Sequence, residues 1–192
     1  MGTMSTLTWL GVPGDERAWT ALGFVVDGGG FTVGRVRCSI GGKGWGFDEI
    51  HSDPADLGVR TVTSPAAAPT EHPCGVTAVD HIVYTVPDLD PAVDALNAVL
   101  GSAPRRRFHP RGPEGPEMAF YRVGEGFIEA VESGLEPALI GLALKTPDLD
   151  ATVAQMRLCG GPVSDAKPAV QGGRIASVPS DHLNWGLAIM GA

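Results

Sequence analysis

Basic residues are scarce in this chain. Lys and Arg total 14 against 22 Asp and Glu, a formal net charge of -8, and that argues against a nucleic-acid surface, which needs a clustered basic face. The one basic cluster is Arg105-Arg106-Arg107 with Arg111, read either as a solvated turn beside a strand or as an anchor for an anionic small molecule. Cysteine is scarce too. Cys38, Cys74 and Cys159 lie far apart, form no C-x-x-C and leave one unpaired under any disulfide scheme, so a reducing, cytoplasmic compartment is expected. No stretch approaches the roughly eighteen apolar residues of a membrane span, and the N-terminus lacks a basic region followed by an apolar run, so neither insertion nor export is expected. Met1-Gly2 with Thr6 fits the myristoylation pattern, a match short enough to arise by chance.

Several catalytic signatures are missing. Gly28 to Gly30 and the G-G-K-G-W-G run from Gly41 to Gly46 look phosphate-friendly, but no Walker spacing surrounds Lys43 and no Ser or Thr follows it. Hairpin turns are the expected use of both. There is no G-x-S-x-G, and the scattered Ser, His and Asp residues suggest no hydrolase.

What the chain does have is a sentence said twice. Val79 to Asp90 reads V-D-H-I-V-Y-T-V-P-D-L-D, and Leu139 to Asp150 reads L-I-G-L-A-L-K-T-P-D-L-D. A period of about sixty residues marks a duplicated supersecondary unit. In the first copy an apolar strand over Asp80 to Val86 runs into a helix started by Asp88, Asp90 and Pro91 and stopped by Gly101. Three strand-like runs follow, Arg105 to His109, Met118 to Val123 and Gly126 to Glu132. The second copy predicts a strand over Ile140 to Thr146, a helix ending at Cys159, and strands near Pro162 to Ser164, Gly173 to Pro179 and Asn184 to Met190. A blurred third copy lies at the N-terminus, with Leu7 to Val12 as its strand, Asp15 to Leu22 as its helix and later strands within Thr32 to Ile50, anchored by Trp45-Gly46 against Trp185-Gly186.

With 192 residues, 43% of them hydrophobic, the chain can bury a full core. The expected division is a degenerate N-terminal module over residues 1–63, a Pro- and Ala-rich linker over 64–75, a βαβββ module over 76–134 and another over 135–192. Proteolysis is expected to nick the linker and leave a folded C-terminal fragment.

Tandem βαβββ units with His81 in a first strand and Glu129 in a fourth resemble the vicinal oxygen chelate superfamily of glyoxalases, bleomycin-resistance proteins, epimerases and extradiol dioxygenases. The resemblance rests on D-H-I-V-Y-T-V-P-D-L-D, F-I-E-A-V-E and the C-G-G-P-V and G-G-R-I-A-S-V-P-S-D runs. It implies an α+β fold, with two modules side by side in an open, cupped mixed sheet and metal ligands on its concave floor. It places His81 and Glu129 at such positions, as metal ligands or as an acid/base pair. In the next module Gly141 and Leu187 occupy the matching places, and in the N-terminal module Leu7 and Phe47 do, with Asp48 or Glu49 within a residue or two. One chain therefore offers half a metal site, and its cofactor is either none or a divalent metal.

Two functions follow from this reading. In the first, the cup binds a small molecule without a complete metal site, with Trp185, Phe127 and Tyr121 as walls and Arg107 or Lys145 facing an anionic group. In the second, His81 and Glu129 serve a metal-dependent lyase, isomerase or epimerase acting next to a carbonyl. Glu129, flanked by Phe127, Ile128 and Val131, is costly to bury alone and should meet a partner. Asp80 and His182 read as turn residues. A homodimer is expected, because three modules leave one unpaired. Symmetry also allows the middle modules of two chains to combine their His81 and Glu129 residues, although the short Glu132 to Leu139 link argues against it.

Overall fold

A computed structural model describes residues 4–192, so Gly2 and its acylation pattern lie outside the described residues. The N-terminal part comprises β1 (Leu7–Val12), α1 (Glu16–Ala21), β2 (Gly30–Val33), β3 (Val36–Ile40), β4 (Trp45–Phe47) and β5 (Thr61–Thr63). The first C-terminal module comprises β6 (Ala78–Val86), α2 (Leu89–Leu100), β7 (Arg106–Phe108), β8 (Met118–Val123) and β9 (Gly126–Glu132). The second comprises β10 (Ala138–Lys145), α3 (Leu149–Leu158), β11 (Lys167–Pro168), β12 (Arg174–Val178), α4 (Ser180–Leu183) and β13 (Gly186–Gly191).

The repeated P-D-L-D sets the two principal helices in the same way. Asp88 and Asp148 are the N-caps of α2 and α3, accepting from the amides of Asp90 and Ala151. Gly101 ends α2 in the left-handed conformation at φ 63°. The two modules join in one open eight-stranded mixed sheet, ordered β11-β12-β13-β10-β6-β9-β8-β7. β6 and β10 meet antiparallel at its centre, and each pairs in parallel with the last strand of its own module. The fold is α+β and glyoxalase-like. Helix α4 is an addition to the pattern that the sequence predicts, and the strand expected near Pro162 forms instead at Lys167–Pro168.

The N-terminal part forms a separate five-stranded sheet, ordered β2-β3-β1-β4-β5. Its pairing differs from the one that the Trp-Gly repeat predicts. β1 finds its parallel partner in β3, while β4 runs antiparallel to β1 and parallel to β5. Trp45-Gly46 therefore occupies the place beside β1 that β10 occupies beside β6, and does not match Trp185-Gly186. Leu7 and Phe47 pair across β1 and β4, 3% and 0% exposed, as plain core. Asp48 accepts from the Thr6 amide at 2.7 Å on the surface.

The two sheets share one continuous apolar core. Tyr84 of β6 lies 5.0 Å from Trp45, ring centre to ring centre, and donates its hydroxyl to the Leu57 carbonyl at 2.7 Å. The Ser5 hydroxyl and the His51 amide reach the last carbonyls of α2, and His182 of α4 lies 2.9 Å from the Ala18 carbonyl. The N-terminal sheet thus covers the side of the large sheet that α2 also covers, and its apolar face is buried within the same chain. The linker is exposed from Pro65 to Glu71 apart from Ala67, then tucks in at His72 and Cys74. A protease should cut the exposed stretch, and the two pieces should then co-elute on sizing under native conditions.

His72 is held in one tautomer. Its Nδ1 accepts from the Val25 amide at 3.0 Å and its Nε2–H donates to the Thr32 carbonyl at 2.7 Å. Burial lowers its pKa from the ordinary 6.5, against the opposing pull of the Thr32 carbonyl. The unfolded chain therefore takes up this proton first as pH falls. The stability this residue contributes is complete above the ordinary histidine pKa and declines as pH drops below it. Urea melts should show a lower midpoint near about pH 5 than near about pH 7, and His72→Gln should shrink that difference.

Candidate functional site

The face of the large sheet turned away from its helices is laid out by strand register, since residues paired across strands point to the same face. One row runs Arg106, Phe120, Glu129, Val83, Gly141, Gly186. The next runs Arg122, Phe127, His81, Ala143, Ala188, Ser177. Each begins at a guanidinium, passes a phenylalanine, reaches an ionisable side chain at the centre of the sheet and ends among small residues.

The register also fixes the internal symmetry. Ile82 pairs with Leu142, flanked by His81 with Ala143 and Val83 with Gly141, so a pseudo-twofold axis relates His81 to Gly141. Carried to the outer strands, the same axis relates Glu129 to Ala188. Ala188, not Leu187, is thus the fourth-strand counterpart, and Leu187 faces the core at 2% exposed. Where the first module has imidazole and carboxylate, the second has a hydrogen and a methyl group. The result is a hollow of about 310 Å³ lined by His81, Val83, Gly141, Ala143, Gly186 and Ala188.

A β-bulge completes the cluster. His81 pairs with Ala143 and Val79 with Leu144, so Asp80 is the extra residue in β6, and the bulge turns its side chain to the same face as His81. The Asp80 carboxylate lies 2.7 Å from Nδ1 of His81 and 3.5 Å from Nζ of Lys145. A carboxylate only accepts, so Nδ1 carries the proton and Nε2 points across 3.7 Å to Glu129. Burial opposes charge on Asp80, but the hydrogen bond and charge of His81, with Lys145, hold its carboxyl below the usual range. Glu129 goes the other way. Burial raises its pKa, His81 and Arg111 draw it down, and Asp80 pushes it up again. The Nε2 edge of His81 therefore faces a carboxyl that keeps its proton to higher pH.

That environment penalises ionised Glu129, so Glu129→Gln should stabilise the chain. A raised folded pKa means stability is present below the unfolded value and lost as pH rises through the folded one. The gain should be roughly 1 kcal/mol at neutral pH and absent in acid, as read by urea melts.

Of the residues singled out from sequence, the structure brings His81, Glu129, Phe127 and Lys145 together. Arg107 and Tyr121 are turned away. Arg107 pairs with Asp90 and Glu117 on the helix side, and the fully buried Tyr121 hydroxyl bonds to Val93 and Asn97 of α2. Trp185 lies at the seam with the N-terminal sheet, its indole N–H donating to the Leu139 carbonyl at 3.1 Å. In their place come Arg106, stacked over Phe108 and Phe120 at 5.4 and 5.5 Å, and Arg122, 4.8 Å above Phe127. The alternation in R-R-F carries a signal for Arg106, which shares a face with Phe108 rather than with Arg107. The role of Asp80 depends on a bulge that no local pattern announces.

Among the described residues no group of three or more His, Cys, Asp or Glu side chains converges to hold a metal ion. The donor set of this face accounts for it, because Gly141 and Ala188 supply nothing opposite His81 and Glu129, which leaves two candidate ligands where a divalent metal site needs three or four. The residues of one chain do not fit a divalent metal.

The family model described as glyoxalase/bleomycin resistance protein/dioxygenase superfamily matches residues 80–177. No curated protein matches the chain. Among solved structures, the chain is similar to a methylmalonyl-CoA epimerase from Mycobacterium tuberculosis at 21% identity, covering 61% of this chain and 89% of that one with a TM-score of 0.50. A Streptomyces coelicolor methylmalonyl-CoA epimerase variant in complex with 2-nitronate-propionyl-CoA gives 19% identity, 61% and 95% coverage and a TM-score of 0.50. These likenesses are of fold.

Proposed function

The chain belongs to the glyoxalase/bleomycin resistance protein/dioxygenase superfamily, and on that premise we propose that it binds a small, largely apolar oxo acid on the concave face without a resident metal. The observation that carries this reading is the order of groups along the two rows. Guanidinium groups at Arg106 and Arg122 suit a carboxylate, the phenylalanines offer apolar surface, His81 and Glu129 are placed to hydrogen-bond a carbonyl, and the hollow beside Gly141 and Ala188 accepts the tail. The small residues are part of the recognition. They give the tail its space because the second module carries no ligand side chains.

The Asp80–His81–Glu129 arrangement favours a second reading, proton transfer next to that carbonyl. Asp80 fixes the tautomer, His81 Nε2 takes a proton from the carbon beside the carbonyl, and protonated Glu129 donates to the oxygen where charge develops. This is isomerase or epimerase chemistry of a kind that needs no metal. The Streptomyces coelicolor epimerase variant of similar fold is in complex with 2-nitronate-propionyl-CoA, which makes acyl-coenzyme A esters a second class of candidate after free oxo acids. The proposed site is complete within one chain, in a reducing cytoplasm, and a homodimer is compatible with it but supplies none of its groups.

Phenylpyruvate, an aromatic 2-oxo acid, tests both readings in one tube. Calorimetry should show saturable binding near one per chain, and proton NMR in deuterium oxide should show faster loss of its benzylic proton signal if transfer occurs. Binding without exchange leaves a binding protein. Absence of binding to it and to coenzyme A oxo-acid esters removes the proposal.

A further inference from the structure

A cleft at the seam between the N-terminal sheet and the second C-terminal module is separate from the concave face. Its volume is about 540 Å³, within the usual range for small-molecule sites. One wall is bare backbone from the glycine-rich turn at Gly41 to Gly44, and the opposite wall is Pro137, Leu139 and Trp185. The glycines are required by close approach. A Cβ on Gly11 would lie 2.4 Å from the Gly42 carbonyl carbon, and one on Gly44, at φ 92°, would lie 2.0 Å from the Arg60 carbonyl oxygen. The strands that frame the cleft are therefore drawn together with their backbone uncovered.

Its charge is at odds with the rest of the molecule. The chain has 22 acidic residues and a net charge of -8, yet no carboxylate lines this cleft, while Lys43 and Arg60 both do. Among the described residues neither cation forms an ion pair. The Arg60 guanidinium lies 5.7 Å above the Trp9 ring, which orients it without neutralising it. The amides of Lys43 and Gly44 donate to no protein acceptor among the described residues, so two N–H groups of the turn that carries Lys43 are uncommitted. Successive uncommitted amides with unpaired cations form a concavity suited to an anion.

We propose that this cleft is a second binding site, for a planar aromatic molecule bearing an anionic group. The ring lies against Trp185, Pro137 and the glycine backbone, and the anion faces Lys43 and Arg60. The G-G-K-G run then acts as a recognition loop as well as a turn. No side chain of the concave face takes part, since His81 and Glu129 lie on the other side of the sheet.

AMP, adenosine and inorganic phosphate serve as probes in calorimetry on the intact protein. AMP should bind saturably, and adenosine and phosphate should each bind at least about tenfold more weakly, because each lacks one half of the recognition. The doubly substituted Lys43→Ala, Arg60→Ala protein should lose AMP affinity by about tenfold or more while still binding phenylpyruvate. Both side chains are exposed, so this variant is expected to fold, and an unchanged melting temperature verifies it. Trp185→Ala should weaken AMP and adenosine alike, and Glu129→Gln should leave both unaffected. No saturable AMP binding, binding indifferent to the double substitution, or binding lost with Glu129→Gln overturns the proposal. None of these results bears on whether phenylpyruvate binds the concave face.

Discussion

Trp45→Ala should destabilise the chain by about 3–5 kcal/mol, the usual cost of emptying a large buried aromatic site. Trp45 is 0% exposed, packs on Phe47 and Tyr84 at 5.5 and 5.0 Å, and donates its indole N–H to Thr61 at 2.8 Å. It therefore stands where the two sheets meet. If the core is continuous, the loss falls on the whole molecule. Near-ultraviolet and far-ultraviolet circular dichroism should report one coincident transition, lowered by on the order of 10 °C. Two separated transitions, with only the first displaced, would mean that the sheets fold as independent units.

The second large effect concerns the ligand. Glu129→Ala should weaken phenylpyruvate binding by about ten- to a hundredfold, the range for losing a hydrogen bond in a charged, partly buried setting. The same truncation removes a group that the fold penalises, so the variant should not melt lower on that account. Weaker binding with undiminished stability is a pattern that general damage to the fold does not produce. Trp185→Ala should leave phenylpyruvate binding unchanged, since the indole lies at the seam.

How much of this was legible in the sequence depends on which force decides each element. The P-D-L-D repeats read correctly because N-capping is local, and Asp88 and Asp148 act within two or three residues of where they stand. That His81 and Glu129 share one face of neighbouring strands is legible because the strand repeat and its alternation set both positions. Arg107 and Tyr121 were misplaced because spacing alone does not say which face of a short strand points inward. Trp45 was misaligned because a Trp-Gly pair looks the same in a strand parallel or antiparallel to its neighbour, and only long-range pairing separates the two. Leu187 was off by one, and one residue along a strand reverses the face. The place of Asp80 on the site face is not legible locally, because its bulge is fixed by the partner strand.

The central property proposed for the concave face is that it binds an oxo acid with its own side chains. The measurement is calorimetric titration of phenylpyruvate into protein stripped with a chelator, repeated after adding zinc, nickel or iron in turn, for the wild type and for Glu129→Ala. Saturable binding to the stripped wild type, unchanged by metal and weakened by Glu129→Ala, is the result expected. Binding that appears only when a metal is restored, with that metal retained in stoichiometric amount, would contradict it.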